Sequence, residues 1–453
     1  MVFRSHIGVL AFPFGTHAGP LLTLVRRLAA SSPTTLFSFF NSSTSNSTIF
    51  NEHALIGTHD NVHGRDVWDG TPEGFTGSHY EAVGLFLKAS PANFEEVIGE
   101  AERETGLEMC CLITDAFLWF ASDMAEKRGV TWVPFWTAAS CSLSAHVYTD
   151  NIIKTLGSTE KTEQEQTLSF IPGLEDVHLA DLPPEIFPDK NPSPLALTIN
   201  NMVRILSKST AVVLNSFEEI DPLVINDLKS KFHHFLNIGP SILSPPAPPP
   251  PADGTGCLSW LDKNHSTPKS VVYISFGTVI VPPKDELTAL AEALEACRCP
   301  FIWSLPDRAK ESLPEGFLER TDGIGKVVPW APQVHVLGHE SVGVFVTHCG
   351  WNSILESIAG CVPMICRPFF GDQRLNSRMV ECTWKIGVRV GGGVFTKNET
   401  VEALRRVISE EGGRGIRENV CRLKEKARNA VGVAGSSTKN FEKLLEIISA
   451  SKK

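Results

Sequence analysis

The run Val342-Gly343-Val344-Phe345-Val346-Thr347-His348-Cys349-Gly350-Trp351-Asn352-Ser353-Ile354-Leu355-Glu356 changes character at its middle. Val342 to Val346 is a short apolar run, as expected of a strand buried on both faces of a parallel sheet. Gly350 marks a turn, Asn352 or Ser353 is expected to cap a helix, and that helix is expected to run through Ala359. A strand that turns through a small residue into a helix N-terminus is part of a βαβ unit. In open α/β sheets, ligands bind at such carboxyl ends of strands.

The same alternation recurs along the chain. Apolar strand candidates at 7–12 and 110–114 precede helical segments at 20–30 and 117–127. Further on, a helix at 257–262, a strand at 270–276, a helix at 286–297 and a strand at 301–305 restart the pattern. The fold class is α/β throughout. Each half also carries a strand running into a glycine turn with a hydroxyl residue, Phe14-Gly15-Thr16-His17 and Ser275-Phe276-Gly277-Thr278.

At 453 residues the chain suits two domains, each of roughly 200 residues. Ser244 to Gly254 is dense in proline, which removes backbone donors and holds the chain extended. The expected division is therefore 1–243, a linker at 244–256, and 257–453, with the two domains facing a cleft. The tail segments 416–428 and 438–448 read as helices with a solvated basic face, and the last helix is a candidate to pack back on the first domain.

A net charge of −10 argues against a nucleic-acid or anionic-membrane surface, so any bound phosphate must be held locally. No apolar run is long enough to span a membrane. The early apolar run is broken by Pro13, Gly15 and His17 and reads as a buried strand rather than a leader. Cys110, Cys111, Cys361 and Cys366 lie in apolar runs and are expected as reduced, packed thiols, which implies a cytoplasmic protein. Asn41 and Asn46 stand in glycosylation-type tripeptides and are read as a polar loop. A monomer is expected.

The strand, His-Cys-Gly turn and helix N-terminus together offer backbone N–H groups, a hydroxyl and an imidazole, the parts of a diphosphate site that needs no net positive charge. Glu356, one turn in from Asn352, can accept from two vicinal ribose hydroxyls. Trp330 offers an aromatic face to a base, and Asp372-Gln373 offers acceptor and donor groups to sugar hydroxyls. The bland alternative makes Trp330 and Trp351 core aromatics. Adjacent His348 and Cys349, without a second ligand pair, make a poor zinc site. His17, ending the first turn, and Asp115, ending the 110–114 strand, can meet as a base and its orienting carboxylate. Their structural alternatives are a cap or solvent-facing residue for His17 and a helix cap for Asp115.

Residues 330–373 resemble the complete donor-binding box of plant secondary-product UDP-glycosyltransferases, and the likeness extends from Phe12 to Ser437. The chain is most similar to the flavonoid 3-O-glucosyltransferases acting on flavonols and anthocyanidins. That resemblance implies a GT-B fold, with the acceptor mainly on the first Rossmann-like domain and UDP-glucose mainly on the second. It implies that Trp330 stacks on uracil, Ala331 bonds its edge, and Gln333 and Glu356 hold the ribose. His348, Asn352, Ser353 and Thr278 would contact the diphosphate, Asp372, Gln373 and Trp351 the sugar, and Thr16 the phosphate or sugar from across the cleft. His17, oriented by Asp115, would deprotonate the acceptor hydroxyl for an inverting displacement without a metal or other cofactor. Phe117, Phe370, Tyr80 and Trp136 would wall the acceptor pocket, with Thr137 and His146 as polar contacts. Tyr80 and Pro183 stand where similar enzymes carry glutamine, which implies looser acceptor choice. A nicotinamide dehydrogenase is disfavoured by the lack of a Gly-x-Gly-x-x-Gly turn. A non-catalytic flavonoid- or nucleotide-binding protein is disfavoured by the intact His17, Asp115 and donor box.

Overall fold

Parallel pairing of neighbouring strands builds both halves of the molecule, whose computed structural model describes residues 2–52, 60–156, 166–187, 192–244, 253–263 and 268–450. In the first half, β1 (Ser5–Leu10), β2 (Thr35–Ser42), β3 (Val62–Val67), β4 (Met109–Asp115), β5 (Thr131–Trp136), β6 (Val212–Leu214) and β7 (Phe235–Asn237) lie in the order β3-β2-β1-β4-β5-β6-β7. In the second, β8 (Val271–Ser275), β9 (Phe301–Ser304), β10 (Gly325–Val328), β11 (Val342–Thr347), β12 (Met364–Cys366) and β13 (Gly387–Arg389) lie in the order β10-β9-β8-β11-β12-β13. β1 and β11 are buried along their whole length, which is why they read as apolar runs rather than alternating ones.

Each sheet reverses its winding once, between β1 and β4 and between β8 and β11. Connections diverge from such a point and leave a crevice at the carboxyl ends of the two strands. The Phe14–His17 turn follows β1 and Asp115 ends β4, while the Phe276–Thr278 turn follows β8 and His348–Gly350 follows β11. Thr16, His17, Asp115, Thr278 and His348 therefore sit at the two switch points.

Contacts between the halves fix one against the other. The buried Asp181 carboxylate accepts from Arg378 Nε at 2.7 Å and Arg389 Nη1 at 2.9 Å. Trp384 Nε1 donates to Asp221 Oδ1 at 2.6 Å, and Trp351 Nε1 to the Asn215 carbonyl at 2.9 Å. The central part of the expected linker, 245–252, lies outside the described residues; the first sheet ends before it and the second begins after it.

Four expectations need correction. The Asn41–Asn46 region is not a polar loop but the end of β2 and the start of the Ser43–Glu52 helix. Both asparagines are buried with their side-chain NH2 groups paired: Asn41 Nδ2 donates to Ser45 Oγ at 2.7 Å, and Asn46 Nδ2 to Asp66 Oδ1 at 2.8 Å. Cys361 is not a free thiol; it caps the Trp351–Gly360 helix and is joined to Cys421. The closing helix Ser436–Ala450 is not merely a solvated surface, since Leu444, Ile447 and Ile448 share a core with Leu21 and Val25 of the first domain. Finally, the helix expected from 117 begins at Ala121, because Phe117–Phe120 form a turn after Asp115.

Candidate active site

The turn after β1 leads directly into the Ala18–Ser31 helix, and His17 occupies its N-cap position without a side-chain capping bond. Its imidazole turns instead to β4, where Nδ1 lies 2.8 Å from Asp115 Oδ2. Asp115 is buried and its other oxygen accepts from the Phe117 backbone N–H at 2.9 Å, so it orients the imidazole rather than capping a helix. An ionised carboxylate can only accept, so Nδ1 carries the proton and Nε2 is left as the basic nitrogen. Thr137 Oγ1 lies 3.1 Å from the same Nδ1, so this residue, expected as an acceptor contact, supports the pair.

Aromatic rings surround that imidazole. His17 lies 4.7 Å from the Phe117 ring and 5.1 Å from Phe12, and Phe117 leads to Trp136 at 6.0 Å and on to His146 at 6.1 Å. His146 is buried, and that burial pushes it down to about 4, so its ring is neutral. This set offers apolar walls with few polar groups, as a planar phenolic ligand requires. Tyr80 is exposed near the start of the His79–Thr105 helix, and Phe370 is exposed on the second domain.

Across the cleft, the helix expected to be capped by Asn352 or Ser353 starts at Trp351, with Gly350 at the N-cap and no side-chain cap. The general preference for Asn and Ser caps yields here to a turn that leaves the first-turn N–H groups open to an anion. Glycines make room for the imidazole beside it: a Cβ on Gly350 would lie 2.6 Å from His348 Nε2, and one on Gly277 3.2 Å from it. Burial holds His348 down to about 4, so it is a neutral donor rather than a cation. Thr278 and Thr16 are exposed in the two facing turns.

Trp330 is 55% exposed beside the buried Ala331, which leaves its ring face open to a base. Trp351 behaves otherwise: its indole is buried against the first domain through Asn215, leaving its backbone N–H as the group it offers at the helix start. Gln333 Nε2 donates to Ser353 Oγ at 3.0 Å and Glu356 Oε2 at 2.6 Å. Glu356 keeps some exposed surface, yet burial of its carboxyl pushes it up to about 7.

The sugar-side pair is held by its own loop. Gln373 Oε1 accepts from the backbone N–H groups of Phe369 at 2.9 Å and Phe370 at 3.2 Å, so the amide presents its NH2 rather than both ends. Burial raises Asp372 to about 6, opposed by Asn376 and by His17 from the other domain. Asn376 Nδ2 donates to Asp372 Oδ2 at 2.9 Å and to the Cys349 carbonyl at 3.0 Å, linking the sugar side to the diphosphate turn. Sequence reasoning passed over Asn376, although its four-residue spacing from Asp372 was a usable signal.

Two doubly wound domains with both switch points turned to one cleft define the GT-B class, in which a base-bearing domain faces a nucleotide-sugar domain. The chain matches the model of the UDP-glucoronosyl and UDP-glucosyl transferase family over residues 85–428, and it belongs to that family. It is similar to a flavonol 3-O-glucosyltransferase of Actinidia chinensis var. chinensis, 55% identical over 99% of this chain and 97% of that one. It is likewise similar to an anthocyanidin 3-O-glucosyltransferase of Gentiana triflora, 54% identical over 97% of each. A crystal structure of a UDP-glucose:anthocyanidin 3-O-glucosyltransferase in complex with UDP superposes with a TM-score of 0.93 at 40% identity, covering 99% of this chain and 100% of that one.

Proposed function

We propose that this enzyme transfers glucose from UDP-glucose, with inversion, to the 3-hydroxyl of a flavonol or anthocyanidin. The observation that carries the reading is the His17–Asp115 pair, set among Phe12, Phe117 and Trp136 and facing the uncapped 351–360 helix. His17 Nε2 takes the phenolic proton as the oxygen attacks the anomeric carbon. The bond from that carbon to the diphosphate breaks, and its electron pair leaves with UDP. The departing charge falls on the first-turn N–H groups and the neutral His348, so no metal is required. Asp115 fixes the tautomer and stabilises the imidazolium.

Glucose as the sugar is supported by Asp372 and Gln373 at the end of the donor segment, and a flavonoid acceptor by the aromatic walls and the named activities of the relatives. A cytoplasmic monomer completes the reading. The location is supported by nine of the eleven cysteines being free, Cys361 and Cys421 being the joined pair; no helix among the described residues is long and apolar enough to cross a membrane. Incubation with quercetin, kaempferol or cyanidin and either UDP-glucose or UDP-galactose tests it. A 3-O-β-glucoside identified by mass and NMR is the expected product; no transfer to any of the three acceptors would refute the acceptor class.

A further inference from the structure

Tyr273 lies in the middle of β8, fully buried and stacked on Phe345 with ring centroids 5.1 Å apart. Its hydroxyl is 3.1 Å from Gln333 Oε1. The other end of the same amide meets Ser353 at 3.0 Å and Glu356 at 2.6 Å. An ionised Glu356 can only accept, so the NH2 of Gln333 must face it and the carbonyl must face Tyr273. Tyr273 must then donate. Without that donor, the carbonyl end would lose its partner and the amide would be held at its NH2 end alone.

We infer that Tyr273 is a positioning residue for nucleotide recognition: by donating to the carbonyl end of Gln333 it anchors that amide and so holds its NH2 on Glu356 beside the ribose. The inference rests on the reading of Glu356 as the ribose carboxylate. Tyr273 touches neither the sugar nor the acceptor in this role, so it should act on donor affinity and leave the chemical step alone.

The test is Tyr273→Phe, which keeps the ring and its stacking and removes the hydroxyl. UDP and 2′,3′-dideoxy-UDP affinities are measured by calorimetry, with kcat and KM for UDP-glucose alongside. UDP should bind about 2- to 10-fold more weakly, the loss expected when a hydrogen bond that positions a binding group is removed. Binding of 2′,3′-dideoxy-UDP should match wild type, and KM should rise while kcat stays close to wild type. Equal losses for both nucleotides, unchanged UDP affinity, or a fall in kcat at constant KM would overturn the inference. If wild type does not prefer UDP to the dideoxy nucleotide, the ribose reading of Glu356 fails and takes this inference with it. If it does and Tyr273→Phe keeps the full preference, only this inference falls. Gln333→Met breaks the same link from the other side: its loss should absorb that of Tyr273→Phe in the double variant, and losses that multiply would refute the linkage.

Discussion

Donor binding should be switched off by acid through Glu356. Burial has raised this carboxyl to about 7, and only its ionised form can accept from two ribose hydroxyls. The group is ionised above that value and protonated below it, so affinity is complete at alkaline pH and lost as pH falls. If only the ionised form binds, Kd grows by 1 + 10^(pKa − pH), about twofold at pH 7, about 11-fold at pH 6 and about 100-fold at pH 5. UDP-glucose is the right probe because its diphosphate is a diester and stays ionised across this range. Asp372, raised to about 6, adds a second loss on the sugar side, and an Asp372→Asn background removes it. Calorimetry without acceptor from pH 8 to pH 5 gives the curve. In the Asp372→Asn background, Glu356→Gln should bind weakly at pH 8 and vary little with pH. A flat wild-type curve, or an unchanged slope in Glu356→Gln, would refute the assignment.

Gln373→His should lower kcat/KM for UDP-glucose at least tenfold, because an imidazole cannot reproduce one carbonyl accepting from both Phe369 and Phe370 while an NH2 faces the sugar; parallel kinetics with UDP-galactose would show whether preference moves, and unchanged glucose transfer would contradict the geometry. Gly350→Ala should cost on the order of 10- to 100-fold in kcat/KM, since its methyl group would press on His348 Nε2 at 2.6 Å and disturb the diphosphate turn; wild-type activity would show that the turn yields. EDTA should leave the rate unchanged, and a loss restored by Mg²⁺ or Mn²⁺ would show that the diphosphate site is not self-sufficient.

Much of this was legible in the sequence because strand-turn-helix order is local. The runs 7–12 and 342–346 announce buried parallel strands, and their positions alone place His17 and His348 at the carboxyl ends. Cap preference points to Asn352 or Ser353, whereas the helix starts at Trp351 because Gly350, which has no side chain to cap with, takes the N-cap position. Contacts between distant segments left no local trace: Tyr273 with Gln333, Asp181 with Arg378 and Arg389, and Cys361 with Cys421 are set by tertiary approach. Trp351 shows the same limit. Its ring is fixed by Asn215, 136 residues earlier, and no pattern around it forecasts that partner.

The central claim is that His17, held by Asp115, removes the acceptor proton while the other domain binds the donor. The most direct measurement is kcat for flavonol glucosylation at saturating UDP-glucose in His17→Ala, Asp115→Ala and the double variant, with UDP affinity measured separately by calorimetry. The account predicts a loss of about 10²–10⁴-fold in His17→Ala, UDP affinity close to wild type, and a double variant no worse than His17→Ala alone. A His17→Ala enzyme that keeps most of its turnover, or two losses that multiply in the double variant, would contradict it.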